Sequence, residues 1–495
     1  MGYAAAATAP RRGGTLVYAA DNEATTMDPP YVGDGSSVNV SSMIYNQLVK
    51  FTPTLEIRPD LATSWKVDGT TWTFNIRHGV TFHDGTGFDA HAVVAHFNRL
   101  LGPEKPLRAS QWLPLVARVQ ALDATTVRFT TKFVDPFFLD RLANVTGAIE
   151  SPAAFAKYGK DLARHPVGTG PFKFREWVQD DHIALIRNDN YWGNKPYLDG
   201  VIIRAVPDIN ARVIALAAGD VQLARSIPPE QVSRIEANPQ LTIMTIDGLS
   251  TWFIGMNVLK KPFTDLRVRQ ALNYAVDKAA IVKAIYDGMG QISNDVVARG
   301  AAGYSPVPGF PYNPKKAKQL LAGAGYPNGF SATMLVTNGA YPKELELEQF
   351  LQEQWAAIGV QVTLQTAEYV RYLELLRMPP TNSPLEMWID SWAEIDASQA
   401  IVARFGCRSF RPAGQNTAGF CNEDLDGLLS QIQRTIDSTT REGLLEKAQA
   451  LVSQQAPAVW LIQLQQILGM SKKLHSPVLL RTALVSADEH TWLES

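Results

Sequence analysis

Between Lys315 and Asp390 the chain alternates between helical and extended patterns, and this alternation restricts the fold more than any other feature of the sequence. Apolar residues recur with helical spacing in some segments, and short apolar or alternating runs separate these segments. The helical segments are 315–324, 344–358 and 368–376, and the extended ones are 332–337, 360–366 and 385–390. Because strands that alternate with helices pack as layers, we predict an α/β domain with a mixed or parallel sheet.

Elsewhere the sequence favours short strands joined by tight turns. Residues 14–20 read as a buried strand, and the Asp68-Gly69 dipeptide between two alternating runs predicts a β-hairpin. Residues 266–286 are predicted to form one long helix, with Thr264 or Asp265 as its N-cap.

Length and charge restrict the possible classes of function. A chain of 495 residues is long enough for two or three domains. Its net charge of −2 gives no global attraction to nucleic acid or to an anionic membrane. No apolar stretch reaches the length of a transmembrane helix. The first residues, MGYAAAATAP, lack the basic and apolar regions of an intact signal peptide, and they fit either the remnant of one or a flexible leader.

The two cysteines, Cys407 and Cys421, lie 14 positions apart in a segment rich in glycine, proline and asparagine. They are either free buried thiols or a disulfide that closes a surface loop, and their setting favours the disulfide. Such a bridge would contribute about 3 kcal/mol on the chain-entropy model. It would also imply an oxidising compartment. No CxxC motif and no nearby histidine supplies further ligands for a metal site.

A series of short motifs extends along nearly the whole chain. The motifs are RPDLA at 58–62, TWTF at 71–74, RHGVTFHDG at 77–85, GTGPF at 168–172, NYW at 190–192, LRVRQALNYAVD at 266–277 and AGAGYPNGF at 322–330. In this order they resemble the signature of the family 5 extracellular solute-binding proteins. That family serves ABC importers of dipeptides, oligopeptides, glutathione, opines and nickel.

The resemblance implies a two-lobed α/β fold of the large peptide-binding type (class II), with a hinge and an extra inserted subdomain. On this map lobe one comprises residues 11–45, 169–254 and 466–495, its inserted subdomain residues 46–168, and lobe two residues 255–465. The chain would cross between the lobes near 252–257 and 461–469. Closure of the lobes on a ligand would shift a pre-existing open–closed equilibrium and requires no bond chemistry.

The resemblance also implies a function. We expect an exported, periplasmic or extracytoplasmic monomer without a cofactor, which captures a peptide-like or glutathione-like zwitterion and delivers it to an ABC permease. An opine or another amino-acid conjugate is the alternative ligand. A nickel chelate ranks lower, because the candidate loops contain no histidine. A hydrolase that uses Glu394 and Asp396 is the alternative from a different class, but the chain contains no GxSxG, HExxH or Walker pattern.

The segment 387–396, which overlaps the end of the predicted strand 385–390 and is expected to form a recognition loop, is dense in aromatic and acidic residues. Its candidate ligand-binding residues are Trp388, Asp390, Trp392, Glu394 and Asp396, with Arg404 on the following helix as a second anion partner. A buried carboxylate needs a partner charge, which a ligand ammonium can supply. Dipeptide-binding relatives carry an aspartate where this chain has Ala393, so Glu394 would take over its role, and the spacing resembles the glutathione-binding branch. Alternatively, the tryptophans belong to the core and the acids are solvated or cap the next helix.

Two further sets complete the candidate site. The loop after residue 337 contributes Asn338, Tyr341 and Lys343, and Lys343 stands where peptide-binding relatives often place an arginine. It is either a partner for a ligand carboxylate or an exposed surface lysine. The residues expected to face the cleft from lobe one are Asp21, Asn22, Glu23, Thr25, Ser250, Thr251 and Trp252. Trp252 either stacks on a ligand or is an ordinary core residue.

Overall fold

The computed structural model describes residues 9–104, 106, 112, 115–337, 343–412, 414–482 and 484–494. The strands are β1 Thr15–Ala20, β2 Val49–Phe51, β3 Ile57–Pro59, β4 Ala62–Asp68, β5 Thr71–Ile76, β6 Val116–Asp123, β7 Thr126–Thr131, β8 Phe172–Val178, β9 His182–Arg187, β10 Gly200–Ala205, β11 Leu223–Ala224, β12 Leu241–Met256, β13 Gly290–Ile292, β14 Ser331–Val336, β15 Gln361–Thr366, β16 Met387–Ala393, β17 Ala458–Ser471, β18 Leu474–His475, β19 Val478–Leu479, β20 Val485–Ser486 and β21 Trp492–Leu493.

The helices in the described residues are α1 Gly35–Ile44, α2 Ala90–Leu100, α3 Phe138–Leu142, α4 Pro152–Tyr158, α5 Ile209–Ala218, α6 Val232–Glu236, α7 Leu266–Tyr274, α8 Lys278–Ala280, α9 Pro314–Gly323, α10 Glu344–Ala356, α11 Tyr369–Leu376, α12 Ala397–Phe405, α13 Glu423–Ile432 and α14 Ser438–Gln455. Within the described ranges, no helix combines the length and the apolar composition that crossing a bilayer requires.

The chain divides into two compact units. It passes from one unit to the other at two points, and both points lie within strands. Unit 1 comprises Met1–Ile246 with Gln466–Ser495, and unit 2 comprises Asp247–Gln465. The first change of unit falls within β12 and the second within β17. The crossing that we expect near 252–257 from the sequence stays a prediction. Residues Ser250 to Met256 of β12 pair with β16.

Besides the two-stranded pairs β2–β3, β18–β21 and β19–β20, the described part of unit 1 contains strands of two larger sheets with separate cores. In the first, β1 lies parallel between β10 and β11, β9 and β8 extend it beyond β10, and the end of β17 pairs with β11. Its core joins apolar side chains of β1 and β10 to Leu468 and Met470 of β17. The second sheet is antiparallel in the order β4-β5-β7-β6 and packs on α2 through an aromatic core. The pairing of Asp68 with Thr71 confirms the predicted hairpin.

Unit 2 has the mixed sheet that the helix–strand alternation predicts. β14 is parallel to both β15 and β16, and β16 is antiparallel to β12. Apolar faces of α7, α9 and α10 contribute to one buried cluster with these strands. In this cluster Trp355 of α10 is fully buried and donates its indole N–H to the carbonyl of Leu272 on α7, at 3.2 Å. The helices are thereby joined by a satisfied polar contact as well as by apolar packing.

The prediction of one helix over 266–286 is wrong in its extent. α7 begins after Asp265, whose side chain accepts the N–H of Arg267 as an N-cap, and it ends at Tyr274. Asp277 then caps the short helix α8 through the N–H of Ala280, and a π-helical turn follows at Ile281–Ile285. A carboxylate that binds its own local backbone favours a new helix start over continuation of the previous helix.

Candidate functional site

The pleat of β16 brings the predicted aromatic and acidic residues together. Side chains two positions apart share one face of a strand, so Trp388, Asp390 and Trp392 lie on one face of β16. In the antiparallel register with β12, Asp390 stands opposite Phe253 and Trp388 opposite Gly255. From the sequence we expected a strand only as far as Asp390, with a recognition loop after it; β16 instead continues to Ala393, so Trp392 lies within the strand.

Arg404 is the centre of a charged cluster at the end of this strand. Its Nη2 atom lies 2.8 Å from Oε1 of Glu394, and its Nη1 atom donates to Gln415 at 2.5 Å. The guanidinium also stacks on Trp392, with its carbon 3.8 Å from the ring centroid. Trp392 in turn donates its indole N–H to Asp390 at 3.1 Å. The cluster thus joins the strand end to α12 through a charge-assisted bond, a cation–π contact and an indole hydrogen bond.

Desolvation shapes the titration of this cluster. It raises the pKa of Asp390 to about 6, against the opposing effects of the Ser391 backbone N–H and the Arg404 charge. It also raises the pKa of Glu394, although Arg404 favours the ionised form. The pKa of Arg404 falls to about 10 for the same reason, partly offset by Glu394 and Asp390. The acids therefore become more readily ionised when a further positive charge is placed beside them.

Asp396 has a structural role in the described fold. Its Oδ1 atom accepts the backbone N–H groups of Ser398 at 2.8 Å and Gln399 at 3.1 Å, and it is the N-cap of α12. Burial raises its pKa to about 6, while these bonds oppose the rise. This placement favours the helix-capping interpretation over contact with a ligand.

The other two candidate tryptophans, Trp388 and Trp252, lie in the core of unit 2. Trp388 is 1% exposed, and a Cβ atom on Gly255 would lie only 2.3 Å from its ring. Trp252 is 5% exposed and belongs to the main apolar cluster, and its neighbour Thr251 is fully buried. Ser250 is partly exposed. Burial favours packing over ligand stacking for both tryptophans.

Of the second candidate set, Asn338 and Tyr341 lie outside the described residues. Lys343 precedes α10 with a left-handed backbone (φ 56°), and its Nζ atom lies 3.7 Å from Glu346. Its side chain is 33% exposed, so it remains accessible to an anion.

An acidic pair beside Lys343, Glu344 and Glu348, was not predicted from the sequence. Glu344 accepts hydrogen bonds from both the backbone and the hydroxyl of Thr337. Desolvation, followed by the charge of Glu344, raises the pKa of Glu348 to about 8. The spacing of Glu344 and Glu348 could have indicated this pair, because residues four positions apart on a helix share one face.

In unit 1 the predicted residues already have local partners. Glu23 accepts the indole N–H of Trp177 at 2.5 Å, and Asp21 lies 3.6 Å from Arg225. Thr25 donates its hydroxyl to Asp34 at 2.6 Å. Asn22 is exposed. These contacts define the shape of the 21–25 loop, and a direct role of its side chains in binding stays a prediction.

Cys407 and Cys421 form a disulfide, with Cα atoms 4.6 Å apart. The bridge joins the residue just beyond α12 to the residue just before the N-cap of α13, and the 408–420 segment lies between them. This segment also carries Gln415 and Arg411, and their interactions with Arg404 and Asp390 were not predicted from the sequence.

Comparison with known proteins identifies the family. Residues 56–402 match the bacterial extracellular solute-binding proteins, family 5 Middle. The glutathione-binding protein GsiB of Shigella dysenteriae is 34% identical over 466 residues, which cover 93% of this chain and 91% of that protein. The chain belongs to this family. The predicted resemblance is thereby confirmed.

Two solved structures extend the likeness of this family 5 chain to the fold. HbpA2 from Haemophilus parasuis matches with a TM-score of 0.89 and 26% identity, over 97% of this chain and 100% of that chain. The ABC transporter-associated periplasmic binding protein DppA from Helicobacter pylori, in complex with the peptide STSA, matches with a TM-score of 0.79 and 30% identity, over 98% and 99% of the two chains. The predicted class of fold is confirmed. This is a family of extracellular binding proteins rather than of enzymes, and the chain is one of its members.

Proposed function

We propose that this protein captures a peptide-like zwitterion outside the cytoplasm, with glutathione as the first candidate, and delivers it to the permease of an ABC importer. The support for the ligand class is the 34% identity to a glutathione-binding protein over nearly the full length of both chains. Within the described residues, the observation that carries the proposal is the paired but accessible carboxylate of Glu394.

Glu394 is suited to bind an ammonium group. Its Oε1 atom is held by Arg404, yet 27% of the side chain remains exposed. A carboxylate accepts several hydrogen bonds, so it can bind a ligand N–H while keeping its arginine. Trp392 and Asp390 lie beside it and add an aromatic surface and a second acid. Arg404 fixes the orientation of the carboxylate before the ligand arrives, which reduces the entropy lost on binding.

A zwitterion also needs a partner for its carboxylates. We propose Lys343 for this role, as a point charge with 33% of its side chain exposed. Asn338, Tyr341 and the 21–25 loop remain further candidates for contacts with the ligand. The lobe and subdomain limits predicted from the sequence, and closure about a hinge, belong to the same proposal.

A thermal-shift screen with glutathione, dipeptides, opines and nickel chelates tests the ligand class. A ligand at 100 times its Kd adds about 2.7 kcal/mol of stability. We expect glutathione to raise the Tm of the wild type, and isothermal titration calorimetry to show that Glu394→Gln weakens this binding at least about tenfold, as loss of a charged partner does.

Glu353→Gln is the matched control, because Glu353 is an exposed glutamate on α10 of the same unit. It should leave the Kd of glutathione unchanged. If an opine alone stabilised the protein, the ligand would be assigned as an opine instead of glutathione. Stabilisation by neutral sugars alone would contradict recognition through charged groups.

A further inference from the structure

The disulfide-closed segment reaches back to the charged cluster at three points. Gln415 accepts from Arg404, and its backbone N–H donates to the carbonyl of Ala403 at 3.2 Å. Ser409 donates its hydroxyl to the carbonyl of Val402 at 2.6 Å. All three partners lie in the last turns of α12. The segment therefore sets the position of the end of α12, on which Arg404 stands.

The segment also affects the charge balance of the acids. Arg411 contributes a favourable electrostatic interaction to Asp390, in addition to that of Arg404. Asp390 on β16 thus interacts electrostatically with two guanidinium groups, one on α12 and one on the segment. Displacement of the segment would remove Arg411 from the surroundings of Asp390 and Gln415 from Arg404, the partner of Glu394.

The bridge fixes both ends of this segment to regular structure. Cys407 donates its backbone N–H to Asp426 of α13 at 2.9 Å, and Cys421 directly precedes Asn422, the N-cap of α13. Cys421 is exposed and Cys407 partly exposed, so a small thiol can reach the bridge. Asn416 adds hydrogen bonds to the carbonyls of Phe420 and Gly406, at 2.7 and 3.3 Å. Opening the bridge would therefore loosen the segment without abolishing its internal structure.

We propose that the Cys407–Cys421 disulfide is a redox-sensitive latch on the solute site: its opening by a small thiol releases Gln415 from Arg404, loosens the Arg404–Glu394 pair and weakens solute capture. The proposal rests on the proposed function. A thiolate attacks Sγ of Cys421 and forms a mixed disulfide, and Cys407 leaves as a thiolate that takes a proton from water. With a dithiol such as dithiothreitol, a second exchange yields two protein thiols and the cyclic oxidised dithiol.

Gln415 is a positioning residue on this account, because it acts on the solute through Arg404. Residues in one hydrogen-bond network typically couple strongly enough to change affinity by about tenfold. We expect a tenfold increase in Kd when the disulfide is reduced. Gln415→Ala should reproduce most of this increase with the disulfide intact, and Gln415→Glu, which keeps the acceptor, should restore tight binding.

The test uses the full chain and S-methylglutathione, a ligand that has no thiol and cannot open the bridge itself. Calorimetry gives its Kd for the oxidised protein, the dithiothreitol-reduced protein and the Cys407→Ser/Cys421→Ser variant. The fluorescence of Trp392, isolated as the difference between wild type and Trp392→Phe, reports independently whether Arg404 has left the indole ring.

Weaker binding together with a fluorescence change in both open forms supports the latch. An unchanged Kd and an unchanged Trp392 signal on reduction overturn it. If the oxidised protein does not bind S-methylglutathione at all, that ligand assignment fails, and the Trp392 signal alone then decides whether the disulfide holds Arg404 in place.

Discussion

Removal of the Arg404 charge should destabilise unit 2 through the acids that it leaves behind. In Arg404→Met, Glu394 loses its 2.8 Å partner, Gln415 loses its donor, and the cation–π contact to Trp392 disappears. Breaking a buried ion pair by removing one partner costs about 3–5 kcal/mol. Because 27% of Glu394 remains exposed to water and methionine keeps the apolar packing, we expect a loss of about 2–3 kcal/mol. For a unit of this size, that lowers the Tm by about 5–10 °C.

The pH dependence separates this mechanism from a simple packing defect. The pKa of Asp390 is raised in the fold, to about 6, and that of Glu394 is raised as well. An acid with a raised pKa stabilises the fold at low pH, and this contribution is lost as pH rises through the folded pKa. The Arg404→Met penalty should therefore be larger near pH 8 than near pH 5, where Asp390 is protonated and no longer needs a positive partner.

Urea unfolding monitored at both pH values measures this penalty. Arg408→Met is the matched control, because Arg408 is an exposed arginine four residues away, and we expect it to change the stability by less than about 0.5 kcal/mol. A penalty for Arg404→Met that is below about 0.5 kcal/mol, or equal at pH 5 and pH 8, would refute the reasoning.

Three further predictions concern neighbouring features. Asp396→Ala removes the N-cap of α12 and should lower the free energy of unfolding by about 1–2 kcal/mol in urea, whereas Asp396→Asn should retain most of the cap. Gly255→Ala places a methyl group against the Trp388 ring and should cost about 1–3 kcal/mol; a wild-type Tm would contradict that tight packing. Binding of an ammonium-bearing solute should weaken as pH falls through about 6, because Asp390 is then protonated in the free protein; a Kd that is constant between pH 5 and 7.5 would argue against its part in recognition.

Most of the strands and helices that carry the candidate site residues could be predicted from the sequence. The strands and helices between 315 and 376 lie within a few residues of their predicted ends, and the strand predicted over 385–390 is part of β16, which continues to Ala393. Local chemistry also limited the N-cap of α7 to Thr264 or Asp265, and Asp265 fills that position. These features depend on residues close together in the chain, so local sequence patterns predict them without knowledge of the tertiary structure.

The pairing of the charges was not predictable in the same way. Arg404 and Glu394 are separated by a capping aspartate and two turns of helix, so their 2.8 Å contact depends on the angle at which α12 leaves β16. Gln415 and Arg411 reach the cluster only because the disulfide-closed segment folds back over α12. The break after Tyr274 was missed because Asp277 sits in an otherwise helical pattern, and its role as a cap depends on which backbone N–H it binds.

The division of the chain into units has a consequence for the order in which they can be completed during synthesis and export. Unit 2 is one continuous stretch, whereas unit 1 joins Met1–Ile246 to Gln466–Ser495. Leu468 and Met470 belong to the core of unit 1, and residues 469–470 close its sheet against β11. A chain that emerges from its N-terminus can therefore finish unit 2 while unit 1 still lacks a strand. Unit 1 stays incomplete until the end of β17 has emerged, so it is the last of the two units that can close its sheet.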